Sequence, residues 1–208
     1  MNVNGSNLDD AYGNVIFSNT TYKNEYNTYF FDRFETTSKF ENNIRYIDIY
    51  SPDIISGRME GRFQFNDLKK LFENSLGNIY TNYIPNEVME DQSIEFDFTI
   101  YNKIMEVFFP EISVAKNTFI KGSVESDARE FKLLFKSPEI RLKDNLARNI
   151  ELQVDNRNPL FNTYVEVDSV SSQYYQIVGF WAGFFEQQNS HTYTKTYSGT
   201  FSRIVTIP

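Results

Sequence analysis

Several side chains that usually carry chemistry are rare or missing in this chain of 208 residues. The absence of cysteine excludes a disulfide framework, a thiolate nucleophile and a cysteine metal site, although it indicates no compartment. The single histidine, His191, lies near the C-terminus, and no serine stands in a G-x-S-x-G context. The sequence therefore predicts no catalytic triad.

Basic runs and long apolar runs are also missing. The formal net charge is −8 without any cluster of lysine and arginine, which argues against nucleic acid and anionic lipid headgroups as partners. No apolar stretch reaches the roughly 18 residues of a membrane helix, and the start MNVNGSNLDDAYGN lacks the basic and apolar regions of a secretory signal. We expect a soluble chain without an anchor. Its start in strand-like sequence is typical of a piece of a longer protein.

Aromatic residues, by contrast, are abundant, with 20 phenylalanines, 14 tyrosines and an aromatic fraction of 17%. Such rings pack well on the pleated, half-buried surface of a sheet, so the composition favours an all-β fold. Clusters of Asn, Asp, Gly and Ser separate nine candidate strands. Their ranges are 14–23, 28–40, 44–50, 54–65, 93–101, 118–125, 130–142, 149–154 and 163–169.

Many candidate strands alternate between apolar and polar residues. In ISGRMEGRFQF, at 55–65, the odd positions are apolar or glycine and the even positions are polar, and IEFDFTI at 94–100 repeats the pattern. Successive side chains of a strand point to opposite faces, so each strand has one wet face. This excludes a parallel sheet buried between two layers of helices. Either a second sheet or a bound apolar ligand would explain what covers the other face.

One segment changes its period from 2 to 3.6. Apolar residues recur on one helical face of DLKKLFENSLGN, after a candidate N-cap at Asp67 and before a candidate C-cap at Gly77. We predict a short amphipathic helix at 68–76. The sequence NKIMEVFFP, at 102–110, is a second candidate helix that proline would end, with a further strand as the alternative.

Three features that could indicate a site receive simpler interpretations. The carboxylate pairs Glu95/Asp97 and Glu166/Asp168 could in principle cleave a glycosidic bond, but acids at this spacing lie on the polar face of a strand, where they are solvated. The sequence DNRN, at 155–158, lacks the glycine and glutamate of a calcium loop and indicates a turn. We interpret the strand glycines Gly57 and Gly61 as sites of strand curvature rather than of ligand contact. No metal, cofactor or catalytic residue is predicted.

The chain also contains three longer stretches with a family likeness: SPDIISGRMEGRFQFNDLKKLFENSLGNIYTNY (51–83), FDFTIYNKIMEVFFPEISVAKNTFIKGSV (96–124) and LQVDNRNPLFNTYVEVDSV (152–170). They resemble the translocation and assembly module TamB family, and most closely its long, repeat-built envelope proteins of Gram-negative bacteria. The resemblance covers most of residues 1–175.

This resemblance implies an AsmA-like, bridge-type lipid transporter. Family members carry an N-terminal membrane anchor, cross the periplasm and form a curved β-sheet groove whose concave face is apolar. They are associated with phospholipid movement to the outer membrane and with assembly of outer-membrane proteins alongside a barrel-shaped partner. For this chain we expect a non-enzymatic, anchor-free segment of a periplasmic protein, with phospholipid acyl chains as ligand and the outer-membrane partner bound through the full-length protein.

On this interpretation the alternating apolar residues line an open groove of a curved, antiparallel, solenoid-like sheet, a β-taco, and the helix at 68–76 plugs or caps the trough. The predicted lining residues are Ile55, Gly57, Met59, Phe63, Phe65, Ile94, Phe96, Phe98, Ile100, Ile120, Val124, Phe131, Leu133, Phe135, Ile150, Leu152, Val154, Val165 and Val167.

The resemblance ends near residue 176, which divides the chain into a groove segment at 1–175 and a divergent tail at 176–208. The tail contains one acid, Glu186, together with Trp181 and His191. Its apolar stretch is too short to span a bilayer, so we expect a sticky edge strand or a partly ordered end.

Three functional interpretations follow. The first is a groove that shields acyl chains, and the second is a scaffold or chaperone surface that offers open strand edges to outer-membrane proteins by β-augmentation. The third is a closed β-sandwich binding module, whose faces pack on each other and whose loops carry the function. The residues alone favour the sandwich, whereas the resemblance favours the groove.

Overall fold

The fold is built mainly from β-strands, with two short helices. The computed structural model describes residues 1–25, 27–77, 83–127, 130–157, 160–189 and 192–206, with side chains as far as residue 183 except at 76 and 156–161. The helices are α1 (Leu68–Gly77), which follows a single 3-10 turn at Phe65–Asp67, and α2 (Asn102–Phe108). The strands are β1 (Asn2–Asn4), β2 (Tyr12–Lys23), β3 (Thr28–Glu41), β4 (Ile44–Tyr50), β5 (Ile55–Arg62), β6 (Ser93–Ile100), β7 (Ile112–Val114), β8 (Thr118–Glu125), β9 (Glu130–Leu142), β10 (Asn145–Arg157), β11 (Leu160–Ser171), β12 (Tyr175–Asn189) and β13 (Thr192–Thr206).

All thirteen strands in the described ranges belong to one antiparallel sheet. Twelve of them lie side by side in chain order from β1 to β13, and β7 is set apart because it pairs with the far end of β9. The predicted open antiparallel sheet is confirmed. The described strands form no second sheet, so they do not build the alternative sandwich. Neither helix in the described ranges is long and apolar enough to cross a bilayer.

The predicted elements are present, and their bounds differ in detail. Each of the nine candidate strands overlaps an observed strand, and NKIMEVFFP forms α2 rather than another strand. The expected caps of α1 are wrong. The Asp67 carboxylate accepts hydrogen bonds from the Met89 N–H and from Gln92, which lie outside the helix. Gly77 is the last residue of α1 and has no positive φ; a side chain there would collide with the Tyr83 ring.

The segment after residue 175, for which we expected a sticky edge strand or a partly ordered end, continues the sheet. It forms β12 and β13, which pair with β11 and with each other. Residues 155–157 of the predicted turn belong instead to β10, which ends at Arg157. The rest of that prediction, at residues 158–159, and His191 lie outside the described ranges.

Unequal strand lengths leave a notch at one end of the sheet, and α2 lies in it. Strand β3 pairs with β4 only over 35–41, so residues 28–34 extend beyond β4. On the other side, the end of β9 extends beyond β8 and pairs with β7. The Lys103 ammonium on α2 donates to the Phe30 carbonyl at 2.8 Å, which satisfies part of the extended edge of β3.

Two glycines allow β5 and β6 to approach closely. Gly57 and Gly61 have φ values of +153° and +148°, a region that residues with a side chain rarely adopt. A Cβ atom would collide with the Asp97 carbonyl at Gly57 and with the Ser93 carbonyl at Gly61. Both glycines therefore leave room for the backbone of β6 to lie close to β5, which is a common reason for glycine within a strand.

We predict that Gly61→Ala destabilises the protein by at least about 2 kcal/mol, because the left-handed φ and the collision with the Ser93 carbonyl both oppose a methyl group. Urea unfolding followed by circular dichroism measures this change. Thr99→Ala on the polar face of β6 is the control and should change stability by no more than about 0.5 kcal/mol. Equal stability of Gly61→Ala and wild type would contradict the close approach of the two strands.

Candidate functional site: an apolar sheet face

The register of the sheet brings the predicted lining residues onto one face. Side chains from successive strands form four rows that run across the strands. The upper row is Gly61, Ile94, Val124 and Phe131; the middle row is Met59, Phe96, Gly122, Leu133 and Val154; the lower row is Gly57, Phe98, Ile120, Phe135, Leu152 and Val165; the basal row is Ile55, Ile100, Thr118, Ser137, Ile150 and Val167. The two remaining predicted residues, Phe63 and Phe65, follow β5 and pack in the core beside the upper row.

Burial falls steeply from the upper row to the lower row. Ile94 and Val124 are each 1% exposed, and Phe131 is 3% exposed. Phe98 and Phe135 in the lower row are only half-buried, although they are large apolar side chains. The face is therefore covered along its upper margin and left partly open below it.

Helix α1 supplies that cover. Leu71, 2% exposed, belongs to the same core cluster as Ile94 and Val124. The Phe72 ring meets those of Phe96 and Phe131 edge-on, at centroid distances of 6.0 and 6.3 Å. Such edge-to-face pairs add stabilisation beyond the area that they bury. The helix is thus a wall along the upper margin of the face, and the lower row is left outside it.

The segment 5–11 forms a second wall, which the sequence did not predict. Arg45, 4% exposed, lies at the end of β4 and donates to the carbonyls of Leu8 and Ala11, each at 2.7 Å. Its guanidinium also stacks over the Phe65 ring, 4.6 Å from the centroid. Arginine at an otherwise apolar position of a strand was the available signal, since it would be buried there only with partners.

The basal row bounds the apolar face on the side away from α1, and two of its residues make polar contacts there. Thr118 and Ser137 are buried, and their hydroxyl oxygens lie 2.8 Å apart. Thr118 also bonds to the Ala115 carbonyl at 2.8 Å. Near this margin, the ammonium of Lys103 pairs with Asp53. The lower row therefore lies between a wall of apolar packing and a margin of satisfied polar groups.

The opposite face of the sheet is polar and carries charges of both signs. Arg58 binds Asp48 at 2.6 Å, and Lys136 binds Glu151 at 2.7 Å, which lowers the pKa of that glutamate. A concavity of about 610 Å³ on this face is lined by side chains that include Arg58, Asp97 and Lys121. This face is therefore the polar face that the alternation predicts.

The two carboxylate pairs considered from the sequence lie on the polar face. Glu95 and Asp97 stand beside Ser123 and Lys121 of the next strand. Glu166 accepts a hydrogen bond from the Tyr164 hydroxyl at 2.8 Å, which raises the pKa of the tyrosine. In the described ranges, no three acidic or histidine side chains group closely enough to hold a metal ion.

The fold and its face define an open, single-layer antiparallel sheet with one apolar side. Comparisons of the chain with protein-family models, with curated proteins and with solved structures give no match. The physical properties of the apolar face and of the sheet edges are therefore what indicates a function.

We predict that Arg45→Met lowers the free energy of unfolding by about 2 kcal/mol, because it leaves the Leu8 and Ala11 carbonyls without their charged donor. Urea unfolding measures the change, and limited proteolysis should cut the segment 5–11 faster than in wild type. Arg58→Met removes an exposed ion pair and is the matched control, with an expected change within about 0.5 kcal/mol. Equal losses in the two variants would contradict the wall formed by segment 5–11.

We predict that Asp67 makes the stability of the fold decrease in acid, because its carboxylate holds α1 at the upper margin of the apolar face. Burial alone would raise the pKa of Asp67, but hydrogen bonds from the Met89 N–H, Gln92 and Lys70 outweigh it and lower the pKa below the ordinary value of 3.8. A carboxylate with a lowered folded pKa stabilises the fold above its unfolded pKa, and this contribution is lost as the pH falls through the folded value.

The measurement for Asp67 is stability against pH, from pH 6 to about pH 2, in wild type and Asp67→Asn. The asparagine variant should be less stable near neutral pH, and its stability should fall less steeply below about pH 4. Asp144→Asn, in an exposed turn, should retain the wild-type slope. An unchanged slope in Asp67→Asn would exclude this role for the carboxylate.

Proposed function

We propose that this chain is a non-enzymatic segment of a cell-envelope protein whose apolar sheet face shields phospholipid acyl chains during transport toward the outer membrane. The observation that carries the proposal is the lower row. It presents Phe98, Ile120, Phe135, Leu152 and Val165 on adjacent strands, and these side chains stay half-buried beside the wall formed by α1. Partly exposed apolar side chains on adjacent strands are stabilised when an apolar partner covers them in water.

The dimensions of the lower row suit a hydrocarbon chain. Extended by Ala182 on β12, which pairs with Val165, the row crosses seven strands from Gly57 on β5. Six spacings of about 4.8 Å give a length of about 29 Å, which is enough for a whole acyl chain, because the hydrocarbon core of a bilayer, about 30 Å thick, is two chains deep. Each methylene that leaves water for this surface contributes about 0.8 kcal/mol. An acyl chain lying along the row would therefore bind without any charged contact.

The place in the cell follows from the family resemblance and is part of the proposal. The stretches at 51–83, 96–124 and 152–170 resemble TamB-family proteins, which cross the periplasm. We propose a periplasmic location, with an outer-membrane barrel partner bound through the full-length protein. The net charge of −8 agrees with contact to apolar acyl chains, and it disfavours contact with anionic lipid headgroups.

A second candidate function is a scaffold for outer-membrane proteins, and the edges of the sheet favour it. Strand β1 covers only residues 12–14 of β2, so the described part of β2 from residue 15 to residue 23 has β3 alone as its strand partner. At the other edge, β13 pairs with β12. Unpaired backbone groups along an edge can accept an extended segment of another protein.

We predict that native mass spectrometry of the purified chain, followed by solvent extraction, detects bound phospholipid, and that Phe135→Glu reduces it about tenfold or more. A carboxylate in the lower row would have to be buried without a partner beneath the acyl chain. Leu134→Glu is the matched control, because residue 134 is half-buried on the polar face of the same strand and should retain wild-type lipid.

The same preparations separate the candidate functions. Both variants are first checked for wild-type circular dichroism, and Phe98→Gln replaces Phe135→Glu if the latter does not fold. Loss of lipid in both glutamate variants, or wild-type protein that carries no lipid and takes up none from vesicles, would exclude the shielding function. Binding of an unfolded outer-membrane strand peptide that is equal in wild type and Phe135→Glu would then support the edge scaffold.

A further inference from the structure

The end of the sheet that carries α2 also carries exposed apolar side chains. Phe108 and Phe109, at the end of α2, are 67% and 57% exposed, and neither belongs to the buried core cluster. Exposed residues on nearby strand ends extend this pair into a row, which we call the basal rim: Phe30, Phe108, Phe109, Leu142, Tyr174 and Tyr175. The rim lies beyond the basal row, on the side away from α1. It is therefore separate from the apolar face.

Hydrogen bonds hold the tip of the rim, which consists of Phe108 and Phe109, in place. On one side of α2, the Tyr29 hydroxyl donates to the Glu106 carbonyl at 2.9 Å. On the other side, the Ile112 N–H donates to the Phe109 carbonyl at 2.8 Å, and β7 pairs with the end of β9. Because the backbone is bonded on both sides of the two rings, their exposure belongs to the folded arrangement and not to a frayed chain end.

The turns next to the tip are joined to it and to each other. The Lys143 N–H, next to Leu142, donates to the Glu111 carbonyl at 3.1 Å. The Tyr175 hydroxyl donates to the Asn145 side chain at 2.9 Å, which links the turn before β12 to the turn before β10. The rim is thus a row of exposed side chains that follows successive strand ends from α2 to β12.

Two lysines at this end of the sheet are paired with carboxylates. Lys103 on α2 pairs with Asp53, and Lys143 pairs with Glu111 at 3.1 Å. Paired in this way, the lysines attract anionic groups only weakly, and the net charge of −8 repels them. A neutral, zwitterionic surface meets no such repulsion. The charges beside the rim therefore favour a partner without net charge.

The tip is too small for a stable protein interface. A phenylalanine buries about 150–250 Å² when it is fully covered, so the exposed parts of Phe108 and Phe109 offer about 300 Å² at most. Specific protein interfaces need about 800 Å² from each partner. A bilayer interface, by contrast, accepts aromatic rings one at a time and needs no matching shape. The size of the tip therefore favours a lipid surface.

We propose that the basal rim docks the protein on a zwitterionic phospholipid bilayer, with the rings of Phe108 and Phe109 inserted at the level of the headgroups. In this orientation the strand ends of the rim face the membrane, and α1 lies at the far margin of the apolar face. The open lower row then lies nearer to the bilayer than the covered upper row. The membrane contact is separate from acyl-chain shielding, and either can fail without the other.

The first test is cosedimentation of the full chain with phosphatidylcholine vesicles. We expect wild type to bind, and we expect Phe108→Ser combined with Phe109→Ser to bind at least about tenfold more weakly, because two rings no longer leave water. Ile84→Ser combined with Met89→Ser removes two exposed apolar side chains near α1 and is the matched control, which should bind like wild type. Vesicles that contain phosphatidylglycerol should bind wild type no more tightly than phosphatidylcholine alone.

A fluorescent label reports insertion at the tip. The chain has no cysteine, so Phe109→Cys introduces a unique thiol for an environment-sensitive fluorophore. Its emission should shift to the blue when phosphatidylcholine vesicles are added, whereas the same label at Ile84→Cys should not respond. Leu142→Ser combined with Tyr174→Ser removes two other exposed rim residues, and it replaces the double phenylalanine variant if circular dichroism shows that the latter does not fold.

The outcomes separate the membrane contact from its alternatives. No binding of wild type to phosphatidylcholine vesicles, or equal binding by the rim variant and the control, would overturn the contact. A dimer that forms without vesicles and is abolished by the rim variant would assign the rim to a second copy instead, and tighter binding to phosphatidylglycerol would overturn the zwitterionic surface. Phe135→Glu should bind vesicles like wild type. If wild type binds vesicles through the rim but carries no phospholipid, the shielding function fails and the membrane contact stands.

Discussion

The two-residue period of the strands, held in constant register across the whole sheet, is the constraint on which the rest of the structure depends. From β5 to β11, nearly every apolar residue of the upper, middle and lower rows has an apolar residue or a glycine as its partner on the next strand. A slip of one residue at any strand would move its apolar set to the wet face. The rows, the wall formed by α1 and the polar face all follow from this register.

The buried core of the protein is small and lies along the upper margin of the apolar face. Ile47, Phe63, Leu71, Ile94, Val124, Phe131 and Val154 form one buried cluster where α1 meets the upper row. Beyond it, the sheet has a single layer, and the large apolar side chains of the lower row are half-buried. The partly exposed apolar side chains of this face are the reason why the ligand that we propose is hydrocarbon. The same surface explains why an amphipathic helix can lie on it.

Much of this arrangement could be predicted from the sequence, because alternation and helical periodicity are local signals. The strands at 44–50, 118–125 and 130–142 were predicted to the residue, and the lining residues fall on one face because the period alone determines it. The role of Asp67 could not be predicted, since it depends on Met89 and Gln92, more than twenty residues away. The role of Gly77 depends on the Tyr83 ring, whose position no local periodicity determines. Burial of Arg45 likewise depends on a segment that reaches it from more than thirty residues away.

The neighbour-by-neighbour order of the strands also determines how the sheet would respond to force. The hydrogen bonds between adjacent strands run along the line that joins the two outer strands of the sheet. A pull between those outer strands would load the bonds one ladder at a time, so the sheet would peel open strand by strand at low force instead of resisting as a sheared unit. A protein held at both edges would therefore lengthen in steps, and the apolar rows would stay whole until a strand between β5 and β11 separated from its neighbour.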